Sequence, residues 1–237
     1  MELAEPQAIR TIFFDAGYTL LYPFPSLPEV CQRVCNKLGI HIHLKQIQLR
    51  MDTGADFYFL QSQADPDTWA NEETITEFWT AYYMSLLRPL LEEEDEVEIH
   101  ELARAIHEEF GEYTSWNMYP DVQPTLETLH KHGYSLGIIS DWGVALAPIL
   151  RQHKLVRYFD CLLISAMTRH AKPSPTLYEL ALQRANTISD FSLHIGDSYI
   201  YDVLGARATG MTPVLLDRSH KYKAQNVDCL LIHSLFD

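Results

Sequence analysis

The chain has 237 residues, a formal net charge of -14 at pH 7, 47% hydrophobic residues and 21% charged residues. That is room for one large domain, or for a core with a smaller insert, in an ordinary globular composition. The negative charge repels phosphate backbones and acidic lipid surfaces, which argues against nucleic-acid and membrane-surface partners; a small anionic ligand would need a local cation or metal.

Met1 to Arg10 has no apolar leader-like stretch, and nowhere do about eighteen consecutive apolar residues occur, so secretion and membrane spanning lack support. The run Thr11 to Phe14 then ends abruptly on Asp15-Ala16-Gly17, which reads as a buried strand delivering a carboxylate to its carboxyl end, where open α/β sheets bind ligands. A carboxylate there can act as a nucleophile or a hard-metal ligand, and Gly17 would let the backbone turn away and approach a ligand closely. Prolines 23, 25 and 28 make Tyr22 to Pro28 a linker out of that strand.

Helical periodicity dominates from Glu29 to about Tyr113, over Glu29 to Leu38, Leu44 to Gln63, Glu73 to Leu87 and Glu96 to Phe110. Tyr58, Trp69, Phe78, Trp79, Tyr82 and Tyr83 are expected in the core of this helical insert, and the acidic run Glu92 to Glu96 as a solvated loop and helix start. After Pro120-Asp121, helices at Val122 to His132, through Leu150, at Ser174 to Arg184 and at Asp202 to Thr209 alternate with apolar runs. Those runs are Ser135 to Ile139, Cys161 to Ile164, Ser192 to Ile195 and Pro213 to Leu216, with Cys229 to Ile232 as a further candidate. Such alternation means βαβ units and a parallel sheet, an α/β fold.

Asp15, Ser140 and Asp197 all follow expected strands and so share one edge of the sheet, which Lys172, just before Pro173 and Pro175, can also reach from the start of the helix there. Each alone is what a turn aspartate, a cap or a solvated lysine looks like. Together with Asp202 they make a phosphoryl site around a divalent cation. The four cysteines have no paired zinc-type spacing and read as reduced thiols of a cytoplasmic protein.

The ordered motifs Asp15-Ala16-Gly17-Tyr18-Thr19-Leu20, Gly137-Ile138-Ile139-Ser140, Lys172-Pro173 and Gly196-Asp197-Ser198-Tyr199-Ile200-Tyr201-Asp202 resemble those of the haloacid-dehalogenase-like (HAD) hydrolase superfamily. Pro25 to Val30 resembles the branch of haloacid-dehalogenase-like hydrolase domain-containing protein three. The resemblance implies a Rossmann-like core of residues 1–21 and 116–237 with an inserted all-helical C1-type cap at 22–115. It further implies Asp15 as the nucleophile of an aspartyl intermediate, with Thr19 supporting the loop. Ser140 would hold a phosphoryl oxygen and Lys172 would neutralise charge. Mg²⁺ would be bound by Asp15, the Gly17 carbonyl and Asp197, with Asp202 behind them, and the substrate would be a small phosphorylated or other anionic molecule.

Two positions depart from the family pattern. Phosphatases of the family carry a second Asp, the general acid and base, where this chain has Gly17, and Asn is more usual where it has Asp141. General acid–base help is worth roughly 10²–10⁴-fold, so its loss implies a weak phosphatase or other chemistry. The alternatives are a catalytically silent ligand- or protein-binding protein, a dehalogenase, or a phosphonatase. A phosphonatase would need a cap lysine, and the only candidates, Lys37 and Lys45, have no context tying them to that role.

Overall fold

A computed structural model describes residues 9–53, 65, 67–91 and 95–237. Six parallel strands form one sheet: β1 (Thr11–Phe14), β4 (Ser135–Ser140), β5 (Cys161–Ile164), β6 (Ser192–Gly196), β7 (Thr212–Leu216) and β8 (Leu230–Ile232). Their order is β5-β4-β1-β6-β7-β8. All four residues of β1 are buried, as a central strand covered on both faces requires.

The period of two along β1 sorts its side chains between two layers. Ile12 and Phe14 pack with Val122 and Leu126 of α5 (Val122–Lys131) and with Leu146, Ile149 and Leu150 of α6 (Leu146–Gln152). Phe13 faces the other way, toward Leu177, Tyr178 and Ala181 of α7 (Pro175–Arg184) and Ala206 of α8 (Leu204–Ala208). Strand order runs outward from β1 on both sides, so the carboxyl ends beside it open the crevice where such sheets take ligands. The fourth motif departs from a plain helix: Tyr199–Val203 is a π-helical turn leading into α8.

Helices α1 (Leu27–Lys37), α2 (Leu44–Thr53), α3 (Glu72–Leu87) and α4 (Glu96–Glu109) share a separate apolar cluster that includes Val30, Ile47, Tyr83, Leu86, Ile99 and Ile106. Asp95 starts α4 through a capping box with Glu98, the helix start expected of the acidic run. Glu92 to Glu94, Tyr58 and the stretch of the second expected helix beyond Thr53 lie outside the described residues. No helix among the described residues is long and apolar enough to cross a membrane.

Two expectations need correction. The chain leaving the first strand is not simply a linker, because β2 (Leu21–Pro23) pairs antiparallel with β3 (Trp116–Met118), and Phe24 N–H donates to Ser115 O at 2.9 Å. The prolines permit this because Pro23 is the last residue of its strand, where a missing donor does least harm. Of the expected core aromatics, Tyr82 and Tyr83 are in the four-helix cluster. Trp69 and Phe78 instead pack with Ile75 and Ala171, the residue before Lys172.

Candidate functional site

Asp15 leaves β1 with its N–H donating to Ile195 O of β6 at 2.9 Å, which fixes the residue between two strand ends. Its Oδ1 accepts from Ser140 Oγ at 3.0 Å and from Lys172 Nζ at 2.7 Å. Lys172 lies three residues before α7 rather than at its first turn, and its ammonium also reaches Asp202 Oδ1 at 2.6 Å. All four side chains are buried. The sheet therefore brings Asp15, Ser140, Lys172 and Asp202 into direct contact, as expected from their places in the sequence.

Asp202 reaches this cluster from the π-helical turn because Gly196 leaves room for it; a Cβ on Gly196 would overlap the Asp202 carboxylate. Ser198 N–H donates to Asp202 Oδ2 at 2.9 Å, and His194 Nε2 lies 2.9 Å from Oδ1. Burial pushes the Asp202 carboxyl up, but Lys172 and His194 reverse this and hold it well below the usual carboxylate range. His194 is pulled down by burial and is neutral, so its Nε2–H is the donor to Asp202. Its Nδ1 is buried with no partner among the described residues.

The other acids respond to the same burial with less compensation. Asp197 is pushed up to about 8 by burial and by its neighbours Asp15 and Asp202. Asp15 is raised by burial against the opposing pull of Lys172. For Lys172, burial acts downward, and Asp15 and Asp202 overcome it, so the ammonium stays charged. Asp141, pushed up to about 7 by burial, accepts from Lys172 N–H through Oδ1 at 3.0 Å.

One carboxylate oxygen from each of Asp15, Asp197 and Asp202 lies within 4.8 Å of the others. The three carboxyls repel one another when ionised, which is part of what raises Asp197, and a divalent cation among them would relieve that repulsion; all-oxygen donors are what a hard divalent cation takes. The residues present therefore fit Mg²⁺.

The loop after Asp15 differs in detail from expectation. Gly17 does not carry the left-handed turn; Tyr18 does, with φ 53°, its N–H donating to Leu21 O at 2.7 Å. A Cβ on Gly17 would instead meet the Trp142 ring at 3.3 Å. The loop is tied down through the Thr19 carbonyl, which accepts from Arg218 Nε at 3.1 Å and Nη2 at 2.9 Å. The Thr19 hydroxyl is buried without a partner among the described residues. Arg218 also binds Asp121 through Nη1 and Nη2 at 2.8 and 2.9 Å and lies 3.9 Å from the centre of the Tyr119 ring.

His194, Trp142 and Arg218 were not singled out from sequence. A polar residue inside the otherwise apolar run Ser192 to Ile195 was the available cue for His194. Trp142 and Arg218 each follow an aspartate just past a strand end, a cue too common to have found them.

The family model described as "Haloacid dehalogenase-like hydrolase" matches residues 12–216. The chain is 25% identical over 218 residues to Haloacid dehalogenase-like hydrolase domain-containing protein 3 of Danio rerio, covering 91% of this chain and 88% of that protein. It is 32% identical over 223 residues to a phosphoglycolate phosphatase of Pseudomonas fluorescens, covering 93% of this chain and 74% of that protein. Among solved structures, the HAD-hydrolase YfnB of Bacillus subtilis has the same fold, with a TM-score of 0.78 at 18% identity over 97% of this chain and 96% of that one. The extent of the family match, over a parallel sheet whose strand ends gather Asp15, Ser140, Lys172 and Asp202, makes this chain a member of the haloacid dehalogenase-like hydrolase family.

Proposed function

We propose that this hydrolase is a Mg²⁺-dependent phosphatase of small phosphorylated metabolites, with Asp15 as nucleophile. The observation that carries this reading is the double hold on Asp15 Oδ1 by Ser140 Oγ and Lys172 Nζ, at 3.0 and 2.7 Å. A carboxylate so fixed is presented in one orientation, and both donors can pass to the oxygens of an incoming phosphoryl group. In the first step a carboxylate oxygen of Asp15 bonds to phosphorus as the bond to the leaving oxygen breaks. Water then hydrolyses the acyl phosphate, releasing phosphate and restoring the carboxylate.

Asp15, the Gly17 carbonyl and Asp197 would hold Mg²⁺, with Asp202 orienting from behind. The metal supplies charge compensation for the transferring group. Lys172, bridging Asp15 and Asp202, favours the ionised nucleophile and opposes the burial that raises its carboxyl. The segment 22–115 would act as a cap over the strand ends, and the packing of Trp69 and Phe78 against Ala171 supports that role. Relatives named phosphoglycolate phosphatase support phosphate-ester hydrolysis as the reaction class. Four free thiols are in keeping with a cytoplasmic protein.

Gly17 puts no side chain where a proton donor would stand. The favoured substrates are then those whose leaving oxygen departs without protonation, aryl and acyl phosphates, with alkyl phosphates slower by something approaching roughly 10²–10⁴-fold. The same missing group supports a second reading, a member that binds ligand without turning it over. Phosphonatase chemistry has less support, since the Lys37 ammonium is held by Glu109 at 3.0 Å. A panel of phosphate esters assayed with Mg²⁺ and with chelator tests the proposal. Mg²⁺-dependent phosphate release that is abolished by Asp15→Asn is expected; no release from any ester, or release that survives that substitution, overturns it.

A further inference from the structure

A side chain at position 17 would press against an indole. A Cβ built on Gly17 meets Trp142 Cζ3 at 3.3 Å and Cε3 at 3.9 Å, so the benzo edge of the ring lies against the side of Gly17 from which a side chain would grow, two residues from the nucleophile.

The residue is held there through its backbone and by a ring contact. The backbone N–H of Trp142 donates to Ser165 Oγ at 3.0 Å, and its backbone carbonyl accepts from Ala166 N–H at 3.3 Å. The Trp116 ring packs 4.5 Å away at 59°, and Trp116 is itself anchored by its Nε1–H donating to Phe110 O at 2.8 Å. Trp142 stands only two residues beyond Ser140, whose hydroxyl bonds Asp15, and the residue is half-buried rather than sealed in the core.

We propose that Trp142 is a specificity-determining residue that selects phosphoryl compounds bearing an aromatic group directly on the phosphoryl oxygen, that is, aryl phosphate monoesters. The proposal rests on the phosphatase reading above and narrows its substrate class. Two independent requirements meet at this corner of the site. With no acid at position 17, the leaving oxygen must be weakly basic; with an indole in its place, the leaving group must offer a flat apolar face. An alkyl phosphate meets neither requirement, and a small acyl phosphate meets only the first. An aryl phosphate meets both, and ring-on-ring contact adds to simple area burial.

The test measures binding separately from turnover. Phenylphosphonate and methylphosphonate, neither of which can be hydrolysed at a P–O ester, are titrated calorimetrically against the full chain in Mg²⁺, for the unaltered protein and for Trp142→Leu and Trp142→Phe. The unaltered protein is expected to prefer the phenyl compound by on the order of ten-fold. Trp142→Leu should bring that ratio close to one, and Trp142→Phe should retain most of it. A ratio near one in the unaltered protein overturns the proposal whether or not the variants fold, and so does a ratio that Trp142→Leu leaves unchanged. If the preference is present and depends on Trp142 while no ester is hydrolysed, the phosphatase reading falls and the aromatic subsite stands.

Discussion

His194 Nε2 lies 2.9 Å from Asp202 Oδ1, the same oxygen that accepts the Lys172 ammonium at 2.6 Å. The neutral imidazole thus gives a buried carboxylate a second donor without adding charge. A hydrogen bond to a charged group is worth about 1.5–3 kcal/mol, and the unpartnered Nδ1 offsets part of that. His194→Leu is accordingly expected to destabilise the protein by about 1–2 kcal/mol in urea unfolding. A neutral or stabilising outcome would mean that the orphaned nitrogen outweighs the bond to Asp202.

Asp197 and Asp202 should separate when each is changed to asparagine. Among the described residues Asp197 has no ammonium within ion-pair distance and is crowded by acids, whereas Asp202 is paired with Lys172. Asp197→Asn is expected to weaken Mg²⁺ binding the more, because a ligand to the ion loses a direct bond, while a group behind it only orients one. Asp202→Asn is expected to lower stability the more, by about 3–5 kcal/mol, the effect of breaking a buried pair from one side. Calorimetric Mg²⁺ titration and denaturant unfolding of both variants make the comparison.

Gly17→Asp meets a steric condition that the sequence did not reveal. At 3.3 Å the Trp142 ring must give by a few tenths of an ångström before any residue with a Cβ fits. The single substitution is therefore expected to gain little on alkyl phosphates. Combined with Trp142→Ala it should approach the roughly 10²–10⁴-fold that a general acid supplies. Steady-state kinetics on matched alkyl and aryl esters reads the coupling, and additive effects would count against it.

Asp121 gives a pH dependence of known sign. Burial pushes its carboxyl up, but hydrogen bonds from Arg218, from Ser234 Oγ at 2.7 Å and from Leu235 N–H at 2.8 Å bring it below its ordinary value of 3.8. A lowered carboxyl contributes stability that is complete above its unfolded value and is lost as pH falls through the folded one. Asp121→Asn is thus expected to lose about 1.5–3 kcal/mol at pH 7, and the gap to the unaltered protein should close as pH drops below 3.8. Urea midpoints across that range are the measurement.

Much of the site was legible because strand ends carry it. The run Thr11 to Phe14 fixed where Asp15 would emerge, and the prolines after Lys172 marked it as close to a helix start and to the same edge, although the helix itself begins three residues later. What could not be read depends on side chains crossing between segments. Nothing in the spacing of Gly17 and Trp142 says that an indole fills the space beside a glycine, and only the fold brings Arg218 to the carbonyl of Thr19. In β2 the density of prolines hid a strand whose pairing needs few of its own donors.

The ribbon of β2 and β3 sets Pro23 directly opposite Trp116, so the 92 residues numbered 24–115 leave and rejoin the rest of the chain at one point. Closing that gap with a loop of about two residues would make a plain β-hairpin. Excising the whole insert, or exchanging it for one of another shape, is then expected to leave every strand of the sheet in place, so the insert can vary in size and form independently of the sheet.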